Sequence, residues 1–123
     1  MILICYDGKN ERYFDSIDEI ISKIPNELKE KCYLIGCKYD GGEHDGLPIV
    51  ISEERALQKA KEYNIPLFLT SSLTGNGISN LFACIYELIQ EKHDRMNESS
   101  FLEYKQSLNK SSHSSQSKKC IIV

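Results

Sequence analysis

A basic surplus, a long apolar run and paired cysteine spacing are all missing from this 123-residue chain. Lys and Arg number 15 against 18 Asp and Glu, a net charge of −3. The electrostatic footprint of a nucleic-acid-binding protein is therefore missing, and no nucleic-acid partner is expected. No apolar run approaches the roughly 18 residues that a membrane span requires. The opening Met1–Cys5 run has no basic leader and soon meets Asp7 and Lys9, unlike a signal peptide. Five cysteines, Cys5, Cys32, Cys37, Cys84 and Cys120, form an odd set without C-x-x-C spacing. That usage points to a reducing cytosol rather than to disulfides or structural zinc. What is present is the length of a single domain, with 41% apolar residues, enough for a packed core.

Charge and composition divide the chain. Residues 1–92 carry 10 basic and 15 acidic side chains, whereas residues 93–123 carry five basic and three acidic, with eight serines. The second segment offers too little apolar surface to offset the entropy of ordering it. The expectation is a folded body over 1–92 and a flexible tail over 93–123.

Within the body, Ile2–Tyr6, Cys32–Cys37 and Pro66–Thr70 are continuously apolar runs, the pattern of strands covered on both faces. Helical spacing lies between them. Phe14, Ile17, Ile20, Ile21 and Ile24 recur at steps of three and four, and Pro25 closes the stretch. Ser52 is placed to cap a second helix, with Glu53 and Glu54 in its first turn and Ala56, Leu57, Ala60 and Tyr63 as its inner stripe. Ile78, Leu81, Phe82, Ile85, Leu88 and Ile89 form a third stripe. Three strands alternating with three helices predict a parallel sheet and an α/β fold.

In open parallel sheets, ligands gather beyond the carboxyl ends of the strands. After the second strand, Lys38-x-Asp40 offers a carboxylate able to accept from two adjacent N–H donors, and an alkyl stem to cover a flat ring. After the third, Thr70-Ser71-Ser72 offers backbone N–H groups to a carbonyl oxygen. Together they suit guanine, whose N1 and N2 donate and whose O6 accepts.

These segments resemble the C-terminal half of a Ras/Rab-family small GTPase. Tyr6, Asp7, Asn10 and Phe14 are similar to that family's Y-D-x-x-N-x-x-S-F segment, with Tyr13 in place of Ser. Gly36–Asp40 matches G-N-K-x-D, and Leu69–Gly75 matches E-T-S-A-K-T-G. The resemblance implies a partial P-loop GTPase-like sheet and a guanine site made of Cys37, Lys38, Asp40, Ser71 and Ser72. Asp40 would bind N1 and N2, the Lys38 stem would cover the base, the Ser72 N–H would meet O6, and Ser71 would brace the Asp40 loop. Cys37 stands where the family has Asn, and Leu73 where it has Lys. Losing a satisfied buried amide costs about 1–3 kcal/mol, which lowers base affinity by roughly tenfold to a hundredfold.

The sequence contains no G-x-x-x-x-G-K-[ST] to cradle phosphates. It also contains no switch Thr and no D-x-x-G before the first strand, so it supplies no magnesium site and no catalytic residue. Weak GTP or GDP binding without hydrolysis is the expectation. In the family's sheet the strand matching Ile2–Tyr6 has a neighbour that this sequence does not supply, so an open edge is expected there, able to pair with another protein. A gene read short, a fragment unstable alone, or a module that borrows a partner strand would each account for this, and the first is the expectation.

The tail ends in Cys120-Ile121-Ile122-Val123, a C-a-a-X sequence preceded by Lys118 and Lys119. It makes Cys120 a prenylation site, with the lipid left open by the terminal Val. One chain and two lysines imply reversible attachment to the cytosolic face of a membrane. Asp40, Glu43, His44 and Asp45 share a glycine-rich loop, but their spacing matches no calcium loop and reads as a solvated turn rather than a metal site. Cys5, Cys32 and Cys84 read as core, Cys37 as a plain strand-end thiol, and Gly75 and Gly77 as turn residues. Two other readings stand beside the first: a non-enzymatic interaction module docking through its first strand, and an unrelated parallel α/β domain with a fortuitous ending.

Overall fold

A computed structural model describes residues 1–42 and 44–106, with side chains described up to Met96. It divides into two units, the first over residues 1–79 and the second from Asn80 onward.

The first unit is a three-stranded parallel sheet in the order β1 (Ile2–Asp7), β2 (Cys32–Cys37), β3 (Leu67–Leu69). Ile2 pairs with Cys32 and Asp7 with Cys37, while Leu34 pairs with Leu67 and Gly36 with Leu69. The β2–β3 ladder runs past the short third strand, since Leu34 N–H donates to the Pro66 carbonyl at 2.8 Å and Thr70 N–H to the Gly36 carbonyl at 2.7 Å. The expected α/β architecture with parallel strands is the observed one.

The first helical stretch is not one helix. It is broken into α1 (Glu11–Asp15), α2 (Ile17–Ser22) and α3 (Asn26–Lys29). At the first break the Ser16 hydroxyl donates to the Tyr13 carbonyl at 2.8 Å, the local competition with backbone bonding that disfavours Ser in helix interiors. At the second, Pro25 cannot donate to the preceding turn and caps α3 instead. Phe14, Ile17 and Ile21 are buried as expected, whereas Ile20 is exposed and Ile24 half-buried.

Helix α4 (Glu53–Glu62) starts at Ser52, whose hydroxyl accepts the Arg55 N–H at 3.3 Å. Ala56 and Ala60 are buried and Tyr63 packs against the core, but Leu57 lies outside the buried stripe. Lys59 Nζ and Tyr63 Oη both reach Asp18 Oδ1, at 2.8 and 2.7 Å, and so tie α4 to α2. Together with Ile51, these helices cover the sheet face formed by Ile4, Tyr6, Leu34 and Leu67, which is the core.

The opposite face departs from expectation at β1. Leu3 and Cys5 are exposed, so Cys5 is not core and β1 is not covered on both sides, although Cys32 and Cys84 are buried. Burial on this face takes in Ile35 on β2 and Phe68 on β3 but stops short of the β1 margin. An apolar run cannot signal that difference. Among the described residues β1 is hydrogen-bonded to β2 alone, and it forms one edge of the sheet.

The second unit contains α5 (Ile78–Gln106) from Asn80 onward, whose backbone continues past Lys92. Leu81 and Cys84 are buried, Ile85 and Leu88 half-buried, and Phe82 and Ile89 exposed. At 100° per residue, the buried arc is turned away from Phe82 and Ile89 and takes in Cys84. No helix among the described residues is long and apolar enough to cross a membrane.

Candidate functional site

The loops that follow β2 and β3 leave the carboxyl ends of two adjacent parallel strands. Lys38 opens the first loop in a left-handed conformation, φ 64°, uncommon for a residue with a side chain and sustained only where neighbours hold it. Tyr39 then turns inward. Its N–H donates to the Thr70 carbonyl at 3.0 Å, which joins the first loop to the second. Its hydroxyl donates to the Ile51 carbonyl at 2.9 Å and accepts from Tyr6, also at 2.9 Å. Burial pushes both phenols above the ordinary tyrosine range. The ring fits because Gly8 and Gly36 lack side chains: a Cβ at either would come within 2.6 Å of Tyr39 Cε2.

A network of charges surrounds this loop. Asp7 Oδ1 accepts the Lys9 N–H at 2.9 Å, and its Oδ2 accepts from Lys38 Nζ at 2.6 Å. Burial acts to raise the Asp7 carboxyl, but Lys38 and the Lys9 amide outweigh it and hold the group below the usual range. Lys9 Nζ lies 2.7 Å from Asp40 Oδ1 and 2.7 Å from Asp45 Oδ1, with its side chain only 2% exposed. Gly42 N–H donates to the same Asp40 oxygen at 3.0 Å, and Leu47 N–H to Asp45 Oδ1 at 3.0 Å. Lys9 lowers both carboxyls, and they in turn raise its ammonium.

In the second loop Thr70 and Ser71 are buried. Thr70 places its N–H and its hydroxyl on the Gly36 carbonyl, at 2.7 and 3.0 Å. Ser71 organises its own turn: its N–H donates to the Asn76 carbonyl at 2.9 Å, its carbonyl accepts Gly75 N–H at 2.8 Å, and its hydroxyl accepts Thr74 N–H at 3.2 Å. Gly75 and Gly77 have φ of +78° and +70°, as turn residues there require. At Gly77 a side chain would also collide with the Leu69 carbonyl.

Of the residues expected to form the site, Lys38 and Asp40 share one loop, and Ser71 and Ser72 share the loop bonded to it. Ser72 is at the surface and Ser71 is buried. Cys37 is the last residue of β2; burial pushes its thiol up, opposite to an activated cysteine. The sequence alone gives Lys9 no role and puts Asp45 in a solvated turn. The available signal was that Asp7-Gly8-Lys9 leaves β1 at the same end of the sheet as Asp40 leaves β2. Glu43 and Cys120 lie outside the described residues. Among the described residues, no group of three His, Cys, Asp or Glu side chains is placed to hold a metal ion.

Comparison with known proteins places the chain among its relatives. Ras-related protein Rab-26 of Bos taurus is 27% identical over 96 residues, covering 76% of this chain and 36% of the relative. Ras-related protein Rab-24 of Dictyostelium discoideum is 31% identical over 86 residues, 69% of this chain and 42% of the relative. Ras-related protein SEC4 of Candida albicans is 24% identical over 94 residues, 75% and 43% respectively. The chain thus spans less than half the length of these relatives. The sequence model of the Ras family matches residues 1–91, and with three parallel strands and paired carboxyl-end loops beneath that match, the chain belongs to the Ras family.

Proposed function

We propose that this chain carries the guanine-recognition half of a Ras/Rab-type GTP-binding switch in signalling or trafficking. The observation that supports this most is the bonding of the Lys38–Asp40 loop to the Thr70–Ser72 loop through Tyr39 N–H and the Thr70 carbonyl, at 3.0 Å. That bond joins the loop that carries Asp40 to the loop that carries Ser72, the two loops from which a base with both donors and an acceptor would be recognised. Asp40 would take N1 and N2, the Lys38 stem would lie against the ring, the Ser72 N–H would meet O6, and Cys37 and Ser71 would line the site. Without phosphate-cradling residues in these 123 positions, the chain by itself binds through the base and binds weakly. GDP supplies the base that these groups recognise, and no hydrolytic step is assigned to residues of this chain.

Titration with a fluorescent GDP analogue, with ATP as competitor, tests the reading. A dissociation constant above about 1 µM is expected, with displacement by GDP but not ATP and at least tenfold weakening in Asp40→Ala. Equal competition by GDP and ATP, or tight binding indifferent to Asp40→Ala, would sink it.

At the other end, Cys120 is proposed as the prenylated residue and Lys118 and Lys119 as its weak electrostatic support, giving reversible membrane association. Incubation with a prenyl transferase and either prenyl diphosphate, followed by intact mass, should show one added lipid in the native chain and none in Cys120→Ser.

Among the described residues β1 pairs with β2 alone, which favours a second reading, a non-enzymatic module that pairs with a partner protein through this strand. Ile2 N–H and Gly8 N–H point to β2, donating to Lys31 and Cys37 carbonyls at 2.8 and 2.9 Å. By the alternation of a strand, the amides of Leu3, Cys5 and Asp7 point to the outer edge. Sedimentation would distinguish it: this reading requires a dimer or heterocomplex indifferent to GDP, and a stable monomer counts against it.

A further inference from the structure

We propose that Lys9 is an affinity-determining residue that competes with the base for Asp40, with Asp45 as its alternative partner. The inference rests on the reading of Asp40 as the base carboxylate. A purine edge bearing two adjacent N–H donors is recognised best when each donor meets its own carboxylate oxygen. Here Asp40 Oδ1 already receives Gly42 N–H at 3.0 Å and has Lys9 Nζ at 2.7 Å. Two donors already meet an oxygen that has two lone pairs, and one of them is a full cation. A third donor at the same atom would face the ammonium at close range. Gly42 N–H belongs to the loop backbone and stays; Lys9 is the group able to leave.

Lys9 is built to stay near Asp40 and yet be movable. Its backbone is fixed by the Asp7 side chain at 2.9 Å, and Asp7 is itself held by Lys38 at 2.6 Å. The stem is covered, with 2% of the side chain exposed, so the ammonium reaches the loop without being free in solvent. Asp45 lies 2.7 Å away on the other side, and its side chain is 40% exposed against 8% for Asp40. An ammonium that gives up Asp40 therefore retains a carboxylate partner, and the base gains the oxygen it needs. Three carboxylates and two lysines make up this set: Asp7, Asp40, Asp45, Lys9 and Lys38. The exchange moves one contact within it and changes no protonation state.

The test is GDP-analogue titration of the full chain and its Lys9→Gln, Asp45→Asn and Asp40→Ala variants, with each of the first two also combined with Asp40→Ala. Lys9→Gln is expected to bind about tenfold more tightly than the native chain. Asp45→Asn is expected to bind more weakly, because Lys9 then has only Asp40 to hold. Both effects should vanish with Asp40→Ala. Equal or weaker binding by Lys9→Gln, with Asp40→Ala still damaging, overturns the competition and leaves the base reading intact. If Asp40→Ala changes nothing in any background, the base reading fails and the competition with it. Should Lys9→Gln not fold, Asp45→Asn decides alone, since unchanged or tighter binding there overturns the proposal. Titration of the Asp40 side-chain carbon by NMR adds a readout free of nucleotide: its midpoint should rise in Lys9→Gln, and an unmoved midpoint also overturns the pairing.

Discussion

Tyr39 shows how much one side chain carries in this site. It occupies the variable position of Lys38-x-Asp40, where no side-chain type is prescribed, yet its hydroxyl joins Tyr6 to the Ile51 carbonyl and its amide joins the two loops. Tyr39→Phe would keep the ring between Gly8 and Gly36 and leave the Ile51 carbonyl without its donor. An unpaired buried acceptor costs about 1–3 kcal/mol, so urea unfolding should show a lower midpoint with an unchanged slope. Nothing in the sequence marks Tyr39 for this role. Its partners lie 33 and 12 positions away; Tyr6 meets it through the pairing of β1 with β2, and Ile51 through the bonding of its own loop to the Gly8 carbonyl.

Among the elements, α4 was the most legible. Ser52, the acidic first turn and the two buried alanines all follow from local rules, and each is found where those rules put it. Ser52→Ala should therefore cost about 1 kcal/mol, the usual worth of an N-cap hydroxyl, read as a small shift in thermal midpoint without loss of the sheet. The first helical stretch was less legible. Its apolar spacing is right for one helix, and periodicity takes no account of a Ser16 hydroxyl that captures the Tyr13 carbonyl. For β1 the run of apolar residues predicts the strand but not its burial, because Leu3 and Cys5 belong to a margin that only the sheet order defines.

Across the described molecule, ion pairs set a pH window. Asp7, Asp18, Asp40 and Asp45 have carboxyls held below the usual range. The unfolded chain therefore takes up protons more readily, and the stability from these pairs is present above about pH 4 and lost as pH falls through the folded midpoints. Lys9, Lys38 and Lys59 are raised by the same contacts, and Tyr63, donating to Asp18, is pushed up to about 12. Burial raises Tyr6, Tyr39, Cys32 and Cys37. These groups favour the fold below their unfolded values and withdraw that support as pH rises through the folded ones. The urea midpoint should be level from about pH 5 to pH 8 and fall on both sides; a steady slope across that interval would contradict the assignment. Most of these pairs are at the surface, so the acid limb should shrink in high salt.

By itself the sequence determined the α/β class, the parallel direction of the strands and the loops that would carry recognition, because periodicity, capping and turn chemistry are local and repeat wherever those residues occur. It also carried the motifs that mark family membership over residues 1–91. The tertiary structure alone decided that Lys9 lies between Asp40 and Asp45, that Tyr39 spans from Tyr6 to Ile51, and that β1 leaves one face uncovered. The third follows from the place of β1 at the sheet edge, and the first two are contacts between segments far apart in the chain. They depend on how the carboxyl ends of β1 and β2 are brought side by side, and the spacing along the chain contains no measure of that distance.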